Sequence, residues 1–171
     1  MNAANQSFDW ALWFQWIMAT AVSWILGRFL FPNLSIVTIG IALGVLQWFL
    51  LQHRFRKAWH WILATALGWT LGASLILLAI PEGMDFLAGL VTGMTTGTAQ
   101  WLVLRREVHW AGWWIVINIV AWTAGMALLP GVFLTGVIVG LITATALALL
   151  LTSPKPHPIE SGVDEAISST R

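Results

Sequence analysis

The placement of charge constrains this chain more than any motif does. Six stretches, near 10–31, 34–52, 59–80, 86–104, 111–129 and 132–152, carry no Asp, Glu, Lys or Arg near their middles. A bilayer core about 30 Å thick is crossed by roughly 20 apolar residues of helix. The breaks between stretches are chemical: Pro32-Asn33, Pro81-Glu82 and Pro130-Gly131 are turn punctuation, and 52–57 and 105–109 are too polar for hydrocarbon. The expected fold is all-α: a polytopic membrane bundle of six transmembrane helices built from three pseudo-repeated hairpins, about 10–52, 59–104 and 111–152. A short N-terminal segment, 1–9, precedes it, and a polar tail, 153–171, reads as disordered and cytoplasmic. Composition agrees, since only 9% of the 171 residues are charged, against about 25% in a soluble domain.

Orientation follows from Lys and Arg. Arg54, Arg56, Lys57, Arg105 and Arg106 lie in the second-to-third and fourth-to-fifth loops, and the tail adds Lys155 and Arg171. The opposite side has Arg28, with the acidic Glu82 and Asp85. The expectation is N-in and C-in, with the five loop cations as an inner-leaflet anchor. The first stretch lacks a basic n-region and a small-residue cleavage site, so it reads as a retained helix.

The odd stretches repeat a pattern. Trp16-Ile17 is followed by Thr20, Ser23, Trp24 and Gly27; Trp61-Ile62 by Thr65, Gly68, Trp69 and Gly72; Trp114-Ile115 by Asn118, Ala121, Trp122 and Gly125. The even stretches repeat another: Gly40, Gly44 and Gln47 recur as Gly93, Gly97 and Gln100, then as Gly136, Gly140 and Thr143. The second and third copies align without a gap from Gln47 onto Gln100 through Gly72 onto Gly125. Spacings of four, seven and eleven collect these residues into stripes on one helix face. Helices in lipid associate by close approach at small residues and by interhelical hydrogen bonds, so the glycine stripes are expected to pack against neighbouring helices. An even number of spans per unit makes the copies parallel, around an axis along the membrane normal.

Ten of the 13 tryptophans fall at or near the cytoplasmic interface in this topology; Trp24, Trp69 and Trp122 lie about 12 Å deeper. Ordinary aromatic belts occupy both faces. The lopsided distribution reads as an anchoring belt over anionic lipid or as a docking surface for a partner or flat hydrophobic ligand.

Chemistry is sparse. No ionisable residue sits mid-span, which argues against a proton-coupled pump and against carboxylate catalysis. Zero Cys excludes thiolate metal sites and a cysteine nucleophile. His53, His60 and His109 read as solvated interfacial side chains, and no metal site is expected. No nucleophile elbow or phosphate loop is present, and a net charge of +1 is no nucleic-acid footprint. The chain is not expected to be an enzyme. The ligand-binding or helix-contact candidates are Gln47, Gln100, Asn118, Thr20 and Thr65, with Trp24, Trp69 and Trp122. Interhelical amide hydrogen bonding is the plainer account of the first three. No cofactor follows from spacing.

The segments Gly44-Val45-Leu46-Gln47-Trp48 and Gly97-Thr98-Ala99-Gln100-Trp101-Leu102-Val103-Leu104-Arg105-Arg106, each leading into Ala58 or Ala111 and then Trp-Ile, resemble a group of small uncharacterised multi-pass membrane proteins frequent in cyanobacteria and Chloroflexi. Repeated GxxQWxxLR segments mark that group. The similarity covers about 40–126 well; the first copy departs from it, with Gln52 and His53 where the second has Arg105 and Arg106. The resemblance implies a bacterial inner or thylakoid membrane and transfers no functional residue. The expected function is a non-enzymatic integral membrane protein that binds or scaffolds protein, lipid or a hydrophobic ligand through its Trp-rich cytoplasmic side. The alternative is a channel or substrate-binding transport subunit for a small neutral or aromatic solute, which requires a polar-lined cavity on the pseudo-axis.

Overall fold

The computed structural model describes residues 8–29, 34–128 and 132–153. Pro32-Asn33, Pro130-Gly131, most of 1–9 and 153–171 (Lys155 and Arg171 included) and the Arg28 side chain lie outside the described residues.

Six helices and no strand form among the described residues: α1 (Trp10–Phe29), α2 (Ser35–Leu51), α3 (His60–Ala79), α4 (Asp85–Leu104), α5 (Trp113–Ala127) and α6 (Val132–Leu150). Their ends have local causes. Asp9 caps α1, its carboxylate accepting from the Leu12 amide at 2.9 Å. Pro81 ends α3 by pushing Ile80 into extended backbone (φ −109°, ψ 120°). Gly83, at φ +85°, then supplies the left-handed turn that brings the chain back into α4. At the opposite end, turn hydrogen bonds such as Trp113 N–H to Trp110 carbonyl (3.1 Å) and Trp114 N–H to Ala111 carbonyl (3.0 Å) delay the start of α5 beyond the expected residue 111.

Each helix packs against the helices before and after it in the chain, and α6 returns to α1. The result is a closed ring of three hairpins. The α2–α3 and α4–α5 connections, Asp9 and Ser153 share one end, the basic end: Arg54 pairs with Asp9, and the His109 N–H donates to the Ser153 carbonyl (3.3 Å). The α3–α4 turn, with Glu82 and Asp85, lies at the other.

The outward surface is apolar on every helix. Leu63, Leu67, Leu71, Leu75 and Leu78 run down α3, and Met18, Ile41, Met94, Val120 and Leu141 are exposed elsewhere. Among the described residues ten polar ones are buried, Thr20, Gln47, Thr65, Gln100, Asn118 and Thr143 among them. Two helices, across Trp10–Gly27 and His60–Ala79, are long and apolar enough to cross a membrane by themselves. Val37–Leu51, Trp113–Ala127 and Leu134–Leu150 are apolar and shorter within the described residues.

Candidate functional site: a tryptophan-filled axis and its polar layer

The side chains inside the ring come in layers. Trp16, Trp61 and Trp114, one from each odd helix, form a triangle with ring centroids 5.8, 5.9 and 6.3 Å apart. Trp24, Trp69 and Trp122, eight residues further along the same helices, form a second triangle with centroids 5.5, 5.1 and 5.6 Å apart. Eight residues of helix rise about 12 Å. Such separations are those of aromatic rings in contact, so each triangle closes the axis. All six side chains are buried.

A polar layer sits between them. Gln47 accepts from the Trp61 indole (3.0 Å) and donates to the Thr20 hydroxyl (3.3 Å). Gln100 repeats this one hairpin on, accepting from Trp114 (2.9 Å) and donating to Thr65 (2.9 Å). In the last hairpin Thr143 takes the glutamine's place: it accepts from Trp16 (3.1 Å) and its hydroxyl donates to the Val139 carbonyl (2.6 Å). Asn118 stands where the others have threonine, its amide donating to the Trp114 carbonyl (2.9 Å) as Thr20 donates to the Trp16 carbonyl (2.9 Å). Buried indole and amide groups left without partners would each cost about 1–3 kcal/mol, which is why these side chains converge.

The glycines set how close the helices come. On the even helices they face the next hairpin. A Cβ on Gly93 would stand 2.5 Å from the Ile119 Cα, on Gly44 3.0 Å from the Ile62 Cα, and on Gly140 3.0 Å from the Ile17 Cα. Gly40, Gly97 and Gly136 meet Trp69, Asn118 and Ala21 in the same way. On the odd helices they face the partner within the hairpin: Gly27 meets Ile39, Gly72 meets Thr95, and Gly125 meets Val139 and Thr135. Each class therefore forms its own seam, repeated three times. Gly89 belongs to the even class too, a Cβ there falling 2.5 Å from the Thr123 Cα. Its spacing of four from Gly93 and eight from Gly97 puts it on the same stripe, the one signal by which this glycine is recognisable in the sequence.

Trp16, Trp61 and Trp114 require a correction. Placed at the interface by depth in the sequence, they are 0–1% exposed and belong to the axis. The aromatic surface at the basic end is made by the exposed Trp10, Trp59, Trp110 and Trp113, with Trp13, Trp48 and Trp101 partly covered. Trp59 stacks on His60 (3.9 Å), and Arg105 lies over Trp101 (5.1 Å). The basic loops are not wholly polar either. Phe55 and Val108 turn inward, 5% and 1% exposed, and Phe55 lies 6.4 Å from Trp61, covering the first triangle. Outside, the Leu12 amide and then Arg54 hold the Asp9 carboxyl below its ordinary pKa.

The indole nitrogens of Trp24 and Trp69 have no hydrogen-bond partner among the described residues, nor do the hydroxyls of Thr96 and Thr123. Among the described residues, no three His, Asp or Glu gather as a metal would need. No family model, curated protein or solved structure matches this chain.

Proposed function

We propose that this chain is an integral membrane protein whose six helices all cross the bilayer, with the basic end and both termini cytoplasmic, and that it binds or scaffolds other membrane components without catalysing a reaction. One observation carries the choice of function: the ring's axis is solid, two tryptophan triangles and the inturned Phe55 and Val108 filling the place a conducting path would need. Recognition is left to the periphery, to the apolar belt and the aromatic, cationic rim of the basic end. An outward surface rich in exposed Leu, Ile, Val and Phe, around a core that buries amides and hydroxyls among its apolar side chains, supports lipid as the solvent. A water-soluble monomer rarely exposes apolar patches beyond a few hundred Å². The clustering of Arg54, Arg56, Lys57, Arg105 and Arg106 at one end supports the orientation. A bacterial inner or thylakoid membrane follows from the resemblance to the GxxQWxxLR group.

The absence of cysteine makes a direct topology test clean. Single substitutions His53→Cys, Glu82→Cys and Ser153→Cys are probed in intact cells with a membrane-impermeant thiol reagent. Glu82→Cys labels from outside, and the other two label only after permeabilisation. Labelling of all three in intact cells, or recovery of the protein in the soluble fraction, removes the reading. Gentle extraction with mass spectrometry of what co-purifies then tests the scaffolding role; a ligand-free monomer that moves a neutral solute across proteoliposomes refutes it.

A further inference from the structure

Between α3 and α4 at the basic end lies a half-open groove of about 450 Å³, within the size range of small-molecule sites. Its mouth carries Arg56, Lys57, Arg106 and His60, with Glu107 the one acid; its inner length is Ala64, Leu67, Ala99 and Leu102. From His60 to Leu67 the apolar wall descends about 10 Å along α3. We propose that this groove binds one anionic phospholipid, its phosphate at Arg56, Lys57 and Arg106 and an acyl chain along Ala64, Leu67 and Ala99. The inference rests on the membrane reading above and gives the scaffold a specific lipid.

The internal repeat provides the comparison that argues for it. Positions that build the ring recur in every hairpin, as Trp61, Thr65 and Gly72 recur in Trp114, Asn118 and Gly125. The mouth does not recur. In the third hairpin the places of Arg56, Lys57 and Arg106 are taken by His109, Trp110 and Leu149, and in the first by Ala11, Leu12 and His53. Ring construction therefore does not call for the three cations, and their concentration at one groove is a property of the second hairpin alone. Charge at the headgroup level with an apolar channel running inward matches a phosphate on an acyl chain. A soluble anion would use the mouth and leave the apolar wall unexplained.

The test uses the full chain, extracted in mild detergent and titrated with phosphatidylglycerol or phosphatidylcholine, with bound lipid counted by native mass spectrometry. The expected result is retention of one phosphatidylglycerol with at least about tenfold preference, lost in the pair Arg56→Gln/Arg106→Gln. The pair Lys155→Gln/Arg171→Gln removes the same charge from the tail and leaves the preference intact. Ala64→Phe, which obstructs the apolar wall without touching charge, weakens retention. Equal retention of both lipids, equal loss in both charge pairs, or displacement of the lipid by inorganic phosphate at millimolar concentration overturns the site. Release of the protein from membranes by an alkaline wash overturns the membrane reading as well, so the two failures are told apart.

Discussion

Gln100 shows at the scale of one residue why an amide is kept inside an apolar helix. Its oxygen accepts the Trp114 indole and its nitrogen donates to Thr65, so one side chain ties α3, α4 and α5 together. Replacement by Leu preserves size and leaves two buried partners unpaired, a loss of roughly 1–3 kcal/mol in a dry interior. In membrane proteins measured couplings are smaller, averaging about 0.6 kcal/mol and reaching about 1.7, because the unfolded chain in lipid also finds partners. On the membrane reading proposed above, the expected outcome for Gln100→Leu is a loss at the upper part of that range. A double-mutant cycle with Trp114→Phe, read from reversible denaturation in detergent, isolates a coupling of about 0.5–1.7 kcal/mol; additivity of the two would mean the bond contributes nothing. This role was readable from sequence, since Gln47 and Gln100 recur in register. The role of Trp16, Trp61 and Trp114 was not. Their depth is legible from spacing, but tryptophan suits a lipid interface and a packed core equally well, and only the position of neighbouring helices distinguishes the two.

At the scale of helices, association depends on how near two backbones come. Residues with a side chain at Gly93 would drive a Cβ to 2.5 Å from a backbone atom of α5, and the contact cannot be relieved by rotating a side chain. Gly93→Ala is expected to force α4 and α5 apart at a cost of about 1–3 kcal/mol, visible as a lower melting temperature in detergent. Gly112→Ala is the matched control: nothing lies within 4 Å of its Cβ, its backbone is helical (φ −60°), and no loss is expected. Equal effects of the two would remove the seam from the account. That the small residues form seams was plain from their four-residue spacing. Which seam joins hairpins and which joins the two helices of one hairpin was not, since a stripe has no partner until the ring is assembled.

On the scale of the whole molecule, neighbours in space are neighbours in sequence, with α6 against α1 as the one closure. The Trp13 indole donates to the Thr145 hydroxyl at 2.9 Å across that closure, 132 residues apart. Asp9 and Ser153 share an end with both basic loops, so a ring so connected has no privileged starting point. A circular permutant joining Asp9 to Ser153 by a short flexible linker and opened between Arg105 and Arg106 keeps every helix pair. It is expected to keep the parent's tryptophan emission maximum and to melt within a few degrees of it. A red-shifted emission, signalling wetted indoles, would show that the order of the chain, and not the ring, holds the core. The loops at the basic end carry a related lesson. The gapless alignment of copies two and three runs straight through them, pairing Phe55 with Val108 and Ala58 with Ala111, all four buried. Loops that preserve register over a repeat are structured, and the surrounding charges concealed this in the sequence.

Sequence alone determined that the described residues form six helices and that the loop cations gather at one end, because segment length and turn chemistry are properties of neighbouring residues. Tertiary structure decided that the axis is filled and not open, that six tryptophans face one another, and that one groove gathers cations its pseudo-equivalents lack. Those outcomes depend on the rotation of each helix about its own axis. That rotation is fixed only when glycine seams lock on both sides at once.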